Sequence, residues 1–388
     1  MSPPVGAAEM MRSANRTRVL DALRDNRAAS RAELARLTGL STATVSTIVK
    51  DLRQQGLIAD AEPSGDTDEP RRGAGRPPTR LCLAPAAGLI VGVDLGENHS
   101  RVSVADLAYN ILTEQAIDLD SGSTTDTRLD DTAHLIRTLL DRLAIAPETI
   151  RAVALGVPAP VHPKLPTITD SSIACGWANR SPGAELAQRL GIPVRVENEA
   201  NLGALGEVTF GAARGVSDLI YLNVSTRISA GLILDGRVYH GAQGAAGEIG
   251  HIRYDNHGTV CRCGNRGCLE SAIGAPEILR LIQPAHPDPL TIARIVELAE
   301  TDPGTQRVLT DVGRAAGRVL ADLANALNPA AIVIGGRLSA AGTPLLAGVR
   351  ESLDRYAHPL AARTARVSIG TLGDRAPILG GLALAARN

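Results

Sequence analysis

The stretch GEIGHIRYDNHGTVCRCGNRGCLE, residues 247–270, holds three of the five cysteines of this 388-residue chain. Cys261, Cys263 and Cys268 follow a C-x-C-x4-C spacing, and two glycines lie between the last two cysteines. Glycine adopts backbone conformations that other residues avoid, so the loop can fold back on itself. Three thiolates are therefore predicted to face one point.

Two nearby histidines could complete a metal site with these thiolates. One imidazole and three thiolates form the tetrahedral shell of a structural Zn²⁺, and His251 is the predicted fourth ligand, although His257 competes on spacing alone. Four protein ligands leave no open position, so the ion is expected to be structural, in a zinc loop over residues 251–268. A disulfide or redox pair is the alternative. No N-terminal signal peptide is visible, and the cytoplasm we expect for this chain keeps thiols reduced.

The same stretch carries a resemblance to a known family. GAAGEIGH at residues 244–251, followed by C-x-C-G-x-x-G-C-L-E, resembles the signature of the ROK family of repressors and sugar kinases. The resemblance implies that Glu248, His251 and Glu270 hold sugar hydroxyls, with His251 also binding zinc. The zinc would then hold a carboxylate and an imidazole toward a polar ligand. The alternative is that the two glutamates are solvated surface acids.

Composition excludes several classes of protein. Aromatic residues make up 2% of the chain and the net charge is −1, which argues against a stacking platform for single-stranded nucleic acid. No apolar run reaches the length needed to cross a bilayer. We expect a cytoplasmic protein without a membrane partner.

The N-terminal region has the pattern of a helix-turn-helix. An amphipathic helix is predicted over residues 18–24. Ser30 and Glu33 form a capping-box pair at the start of a second helix, whose Leu34 and Leu37 are expected to face inward. A glycine then breaks that helix.

A third helix begins after Ser41, where apolar residues recur at helical spacing. Residues 57–58 and 81–83 are expected to form two strands of a wing, which defines a winged helix-turn-helix domain with its linker over residues 1–84. ROK repressors carry such a domain here, and the kinases of the family lack it.

The exposed face of the third helix is predicted to read double-stranded operator DNA. Small hydroxyl and methyl side chains at a helix start can approach base edges, and the helix start also favours phosphate. An arginine between glycine and proline can enter a minor groove, although a solvated linker is an equal alternative. The candidate DNA-binding residues are Ser41, Thr42, Ala43, Thr44, Ser46, Thr47, Lys50 and Arg76.

Residues 85–388 change to an α/β pattern, which resembles two hexokinase/actin-like lobes of a ROK sugar-binding domain. The fold class is therefore α/β, preceded by an α+β winged helix. GLIVGVDLG at residues 88–96 opens the first lobe with a buried strand and an Asp-Gly turn. Family kinases continue that turn with residues that cradle phosphate, whereas this chain has Glu97, Asn98 and His99. A carboxylate there is expected to repel phosphate.

Two further motifs depart from the phosphotransfer pattern. Asn198 matches the residue that holds the sugar in family kinases. Glu199 occupies the position where those kinases have an aspartate that acts as the general base. We expect Glu199 either to accept a hydrogen bond from a sugar hydroxyl or only to stabilise the start of a helix. Residues 225–230 lack the glycines that let backbone approach phosphates. The single Trp177 is interpreted as a core residue, with sugar stacking as the alternative. ATP is therefore not an expected cofactor, and the chain is predicted not to be an enzyme.

The sequence predicts a sugar-responsive transcriptional regulator, a repressor of carbohydrate-metabolism genes. Its predicted partners are operator DNA and a sugar or sugar-phosphate effector, and it is expected to be a homodimer or homotetramer. One alternative is an ATP-dependent sugar kinase that retains a DNA-binding domain. Another is a sugar-binding or dimerisation module whose winged helix no longer reads DNA.

Overall fold

The computed structural model describes residues 5–61, 79–84, 87–120, 122–165, 167–168 and 176–387. These residues form one three-stranded sheet and two five-stranded sheets. Arg76 lies outside the described residues, so its predicted contact with DNA stays a prediction. No helix among the described residues is long and apolar enough to span a bilayer.

The N-terminal part is the predicted winged helix. Its strands pair antiparallel in the order β1-β3-β2, with Ile58 opposite Leu83 in the wing. Its elements are α1 (Val5–Asn26), β1 (Ala29–Ser30), α2 (Arg31–Thr38), α3 (Thr42–Gln54), β2 (Ile58–Asp60) and β3 (Arg80–Leu83). Helix α1 is much longer than the predicted residues 18–24, and Val19, Leu20 and Leu23 in its C-terminal part are buried.

Local hydrogen bonds explain where α2 begins and ends. The Glu33 N–H donates to Ser30 Oγ at 3.3 Å, and the Ser30 N–H donates to Glu33 Oε2 at 2.7 Å, which confirms the capping box. Gly39 ends the helix with φ of 69°, a left-handed conformation that favours glycine. Leu34 is buried as predicted, but the expectation for Leu37 was wrong, since 54% of it is exposed.

The first lobe is a mixed sheet in the order β6-β5-β4-β7-β8. Strand β4 pairs antiparallel with β5 and parallel with β7. The elements of this lobe are β4 (Leu89–Leu95), β5 (His99–Asp106), β6 (Ile111–Asp118), α4 (Thr125–Arg142), β7 (Ile150–Val157), α5 (Pro182–Leu190) and β8 (Val194–Asn198). Trp177 is buried in the core of this lobe, as predicted.

The second lobe repeats this sheet topology in the order β11-β10-β9-β12-β13, which confirms the two similar lobes. Its strands are β9 (Leu219–Val224), β10 (Ile228–Leu234), β11 (Arg237–Val238), β12 (Ala331–Gly335) and β13 (Arg366–Ile369). The remaining helices are α6 (Glu199–Thr209), α7 (Leu269–Ile273), α8 (Ala275–Ile282), α9 (Ile292–Thr301), α10 (Pro303–Leu327), α11 (Thr343–Tyr356), α12 (Pro359–Thr364) and α13 (Ala376–Ala385).

Side-chain caps define where two long helices, α4 and α10, begin. The side chains of Thr124 and Asp302 cap these helices by accepting hydrogen bonds from the backbone of Thr127 and Thr305. Each cap supplies a partner for a helix-end N–H group, so the helix extends to it.

Helices α6 and α13 join the two lobes. Helix α13 packs on β4 and β7, whereas α6 packs on β9 and β10. A Cβ atom added at Gly206 would lie 2.3 Å from the carbonyl oxygen of Ala376, and one at Gly380 would lie 1.8 Å from that of Leu202. The two backbones are therefore in direct contact, and a larger residue at either glycine would separate the helices.

A buried carboxylate fixes the far end of α6. Glu207 is fully buried and accepts backbone hydrogen bonds from Ala212 at 2.7 Å, Leu372 at 3.1 Å and Thr371 at 3.4 Å. These donors come from the loop after α6 and the loop after β13. The charge is satisfied entirely by backbone N–H groups, which ties both loops to α6.

One hydrophobic cluster runs from the winged helix into the first lobe. It contains Leu20 and Leu23 of α1, Ile90 of β4, and Leu382 of α13. The DNA-binding element is therefore packed on the lobe and not held by a linker alone. The division at residues 84 and 85 stays a prediction.

We predict that Glu207→Gln destabilises the protein by about 1–3 kcal/mol, because an amide NH₂ group would face backbone donors that now bind a carboxylate. Urea unfolding followed by circular dichroism measures the change. Glu300→Gln, at an exposed position near the end of α9, is the matched control. Equal stability of both variants would contradict the role given to Glu207.

Candidate functional site

The predicted metal ligands come together at one point. His251, Cys261, Cys263 and Cys268 have ligand atoms within 4.8 Å of one another. His251 Nδ1 lies 3.5 Å from Cys261 Sγ, and the sulfurs of Cys263 and Cys268 are 3.6 Å apart. Sulfurs about 2.3 Å from a tetrahedral ion would be separated by about 3.8 Å. The donor set therefore fits a metal ion. His257, the competing histidine, is exposed and lies outside this cluster.

Short backbone pairings fold the loop around these ligands. Val260 pairs with Arg266, and Arg253 pairs with Cys268, in two isolated antiparallel bridges. Gly267 has φ of 70°, and a Cβ atom there would lie 1.6 Å from the carbonyl oxygen of Asp255. A glycine is required at this turn, as the sequence indicated.

Four of the five predicted sugar residues line one small cavity in the cleft between the lobes. They are Asn198, Glu199, Glu248 and Glu270. His251 does not line the cavity, but its Nε2 lies 4.0 Å from Glu248 Oε2, while its Nδ1 faces the cysteines. The imidazole therefore connects the cysteine cluster to the cavity wall.

Helix α6 presents the first two of these residues. Asn198 is its N-cap, and its Oδ1 accepts hydrogen bonds from the backbone of Ala200 at 2.8 Å and Asn201 at 3.3 Å. Its Nδ2 donates to the carbonyl oxygen of Ala159 at 3.1 Å. Glu199 follows as the first helical residue, and its Oε1 accepts from the amide of Asn223 of β9 at 3.3 Å. Both side chains are thus held in place without a ligand.

An arginine that the sequence analysis missed enters this cavity. Arg262 stands between two of the cysteines, and its Nε donates to Glu270 Oε1 at 2.9 Å. The other oxygen of Glu270 accepts from the backbone of Ile228 at 3.1 Å. The remaining volume is about 20 Å³, room for about one water molecule. A hydroxyl that binds Glu270 therefore competes with Arg262.

A larger cavity of about 240 Å³ adjoins the first, on the other side of Glu199. Glu97, in the turn after β4, forms an ion pair across the cleft with Arg227, in the turn before β10. The repulsion of phosphate predicted from Glu97 alone is therefore reduced, because Arg227 neutralises its charge. Sequence reasoning missed this pair because the two residues are far apart in the chain.

The turn before β10 is also shorter than the sequence suggested. Residues 228–230 belong to β10, so only Ser225, Thr226 and Arg227 form the turn. Ser225 Oγ accepts a hydrogen bond from the backbone of Arg337 at 3.0 Å. Ser225 and Arg227 of this turn thus contact the protein itself.

Burial and charge shift two pKa values in this larger cavity. Burial raises the pKa of Glu199 to about 7, and the negative charge of Asp94 adds to the effect. Burial lowers the pKa of His99, but its 3.0 Å hydrogen bond to Asp94 and the charge of that aspartate outweigh burial, so the pKa is raised. The cleft therefore holds a carboxyl group that titrates near neutral pH.

The candidate DNA-reading residues lie at the start of α3. Ser41, Thr42, Ala43, Ser46, Thr47 and Lys50 are exposed. Thr44 is half-buried, and its backbone N–H donates to Ser41 Oγ at 3.1 Å as a helix cap. Thr47 Oγ1 donates to the carbonyl oxygen of Ala43 at 3.1 Å. Most of the predicted face is accessible, with Ser41 and Thr44 engaged in the cap.

Comparison with known proteins agrees with this architecture. A family model described as ROK family matches residues 90–388, and one described as MarR family matches residues 13–67. The chain is 28% identical over 394 residues to a xylose repressor of Caldicellulosiruptor bescii, covering 98% of this chain and 97% of that protein. It is 30% identical over 313 residues to a glucokinase of Halalkalibacterium halodurans, covering 75% of this chain and 93% of the glucokinase.

A solved structure matches over nearly the whole chain. It is that of a ROK family transcriptional regulator described as a homologue of the Escherichia coli Mlc protein, with a TM-score of 0.79, 24% identity and 97% of both chains covered. The chain thus has a two-lobed, hexokinase/actin-like fold preceded by an N-terminal winged helix. This chain belongs to the ROK family.

We predict that Glu199→Gln raises the melting temperature at pH 8 and leaves it nearly unchanged at pH 4. A carboxyl whose pKa rises from 4.5 unfolded to about 7 folded favours the folded state below pH 4.5 and loses that contribution as pH rises to about 7. Differential scanning calorimetry at both pH values measures the difference from wild type. Glu148→Gln, at an exposed position, is the control. An equal effect of Glu199→Gln at both pH values would contradict the raised pKa.

Proposed function

We propose that this protein is a sugar-responsive, DNA-binding transcriptional regulator, a repressor of carbohydrate-metabolism genes. One observation supports this proposal most directly. A single hydrophobic cluster packs the winged helix, with its exposed recognition helix, against the first lobe, and that lobe borders a cleft lined by carboxylates. The relatives named xylose repressors, aligned along nearly the whole chain, support the same function. Double-stranded operator DNA and a sugar are the proposed partners.

The chemistry of the cavity favours a ligand rich in hydroxyl groups. Glu199, Glu248 and Glu270 offer several acceptor oxygens, and a carboxylate accepts two or more hydrogen bonds from neighbouring hydroxyls. A sugar phosphate remains within the proposal, because Arg227 and Arg262 also reach this region. D-xylose and D-glucose are the first sugars to test, given the names of the relatives.

Regulation requires that the sugar bind two arrangements of the protein with different affinity. The cavity is formed by α6 together with the loop that carries Glu248, Arg262 and Glu270. A sugar entering it must change the contact between Arg262 and Glu270, which alters how the loop meets α6. In a homodimer or homotetramer, such a change would alter the spacing of two recognition helices, and half-site spacing on DNA is strict.

We infer that the chain does not transfer phosphate. Glu199 replaces the aspartate base of family kinases, Glu97 and Arg227 pair across the cleft, and the turn before β10 lacks the glycines that reach phosphates. The second candidate is an ATP-dependent sugar kinase that retains a DNA-binding domain. The glucokinase relative and the Glu199 pKa of about 7, suited to a general base, favour it. ADP release in a coupled assay with ATP and a hexose panel would support this alternative.

We predict that one sugar shifts the affinity of the protein for DNA from upstream of its own gene. Fluorescence anisotropy with labelled duplexes, repeated with D-xylose, D-glucose and their phosphates, measures the shift. Glu248→Ala should abolish the sugar effect and leave operator affinity unchanged, because this residue lines the cavity and is not part of the winged helix. Glu297→Ala, an exposed position on α9, is the control. A full sugar response in Glu248→Ala would remove that residue from the site.

The metal is proposed to be a structural Zn²⁺ held by His251, Cys261, Cys263 and Cys268. Four ligands leave no open position, so the ion would supply only a rigid anchor for the loop. His251 would then be fixed by the ion through Nδ1 and would present Nε2 toward Glu248. The loop geometry near the sugar is expected to depend on the metal.

We predict that Cys263→Ser loses the bound zinc and that Cys82→Ser retains about one equivalent. Serine is a poor ligand for zinc compared with a thiolate, whereas Cys82 lies on β3 and is not part of the cluster. Inductively coupled plasma mass spectrometry of the purified variants measures the metal. His257→Ala should also retain zinc, which distinguishes it from His251→Ala. Full zinc content in Cys263→Ser would refute the ligand assignment.

A further inference from the structure

We propose that Arg24 is a positioning residue that transmits the sugar response from α6 and α13 to the winged helix. This inference rests on the proposed function and names the residues through which it operates. Arg24 lies near the end of α1, and its side chain is only 5% exposed. A buried arginine needs partners for its guanidinium, and here most of them belong to the first lobe and α13.

The guanidinium of Arg24 makes three contacts outside the winged helix. Its Nε donates to the carbonyl oxygen of Leu107 at 2.8 Å, in the turn after β5. One terminal nitrogen donates to the carbonyl oxygen of Ala386 at 3.2 Å, just beyond α13. Its central carbon lies 4.7 Å from the centre of the Tyr109 ring. The other terminal nitrogen pairs with Asp21 on the same helix. A single side chain therefore fixes α1 on two other elements.

The aromatic contact continues to α6. The rings of Tyr109 and Phe210 are 4.8 Å apart and nearly perpendicular, an edge-to-face arrangement. Phe210 is the only phenylalanine of the chain and follows the last residue of α6. Two of the few aromatic residues of the chain therefore lie at the junction between α6 and the first lobe.

The backbone of Tyr109 supports a specific role for its ring. Its φ of 66° lies in the left-handed region, which bulky residues rarely adopt. Asp106 holds this turn by accepting hydrogen bonds from the backbone of Ala108 at 2.8 Å and Asn110 at 2.9 Å. Asparagine or glycine would suit the conformation better, so the conformation alone does not explain a tyrosine here.

The proposed connection between the sugar site and the recognition helix therefore consists of a few rigid elements. Asn198 and Glu199 stand at the start of α6, which has 11 residues and is about 16 Å long. Phe210 stands at its other end, and α13 is fixed to α6 by the direct backbone contact at Gly206. Motion of α6 and α13 reaches Arg24 through Tyr109 and through the carbonyl oxygen of Ala386. Because α1 packs on α2 and α3, movement of Arg24 moves the recognition helix.

The test compares variants by the factor by which D-xylose or D-glucose changes the operator dissociation constant. In the wild type we expect a factor of about 5–150. Arg24→Lys should bring it below about 2, because lysine cannot bind both carbonyl groups and cover the ring. Phe210→Leu should also lower the factor, but less than Arg24→Lys does, since it removes the aromatic contact and leaves the hydrogen bond from Arg24 to Ala386. Sugar affinity of the DNA-free variants, measured by calorimetry, should stay within about twofold of wild type.

Arg214→Ala is the matched control at the same interface. Arg214 pairs with Asp25 of α1 at 2.6 Å, but both side chains are more than half exposed, and such pairs contribute little. It should keep the wild-type factor. The double variant of Arg24 and Phe210 should lose no more than Arg24→Lys alone, because both routes meet at Arg24. A purely structural role would lower the melting temperature or operator affinity without changing the sugar-dependent factor.

Two results would overturn the inference, and they are distinguishable. If wild type responds to sugar and both Arg24→Lys and Phe210→Leu keep its factor, the transmission through Arg24 is wrong and the proposed function stands. If none of the sugars changes operator affinity of the wild type, the proposed function fails together with the inference. The first result appears only in the variants, and the second appears before any variant is made.

Discussion

The direct backbone contact between α6 and α13 is the constraint on which the rest of the molecule depends. Gly206 and Gly380 allow each helix to touch the main chain of the other, and each helix also covers the sheet of one lobe. The contact therefore fixes how the two lobes meet. It also fixes both ends of α6: the polar end at the cavity, and the end at Phe210 that faces the winged helix. Glu207 adds a buried carboxylate that ties two loops to the same helix.

The charges of the cleft follow a common pattern. Glu97, Asp94 and Glu270 each have a partner on the protein itself, namely Arg227, His99 and Arg262. Because these carboxylates are already paired within the protein, no phosphate-binding cation or metal ion is required to balance their charge. Glu199 is the exception, because it is partly buried with an amide as its hydrogen-bond partner, and its pKa rises to about 7. This arrangement suits the recognition of hydroxyl groups better than the transfer of phosphate.

Local features of the fold were predictable from the sequence, and contacts between distant residues were not. The capping box at Ser30, the turn at Gly39 and the C-x-C-x4-C loop depend on neighbours within a few residues, so pattern and spacing suffice. The pairs formed by Arg262 and by Arg227 depend on how the loop and the lobes meet, which no local pattern encodes. Leu37 shows the converse error: helical periodicity placed it inward, but the end of α2 leaves that turn exposed.

The roles of the individual site residues remain predictions, and the geometry explains why some stood out in the sequence. The metal ligands lie in one loop and share one chemistry, so spacing predicted the three cysteines, and the family resemblance favoured His251 over His257. The folded loop brings His251 to the cysteines and leaves His257 outside the cluster. The sequence did not indicate the interface around Arg24, because an arginine within a helix is common and the carbonyl groups that it binds are distant in the chain. Its importance follows from burial, which only the folded chain defines.

The central claim is that sugar binding and operator binding are linked, and linkage is reciprocal. The most direct measurement is calorimetric titration of D-xylose or D-glucose into the protein, once free of DNA and once saturated with its operator duplex. The account predicts two different sugar dissociation constants, whose ratio equals the factor by which that sugar changes operator affinity. Identical constants for free and operator-bound protein would contradict it.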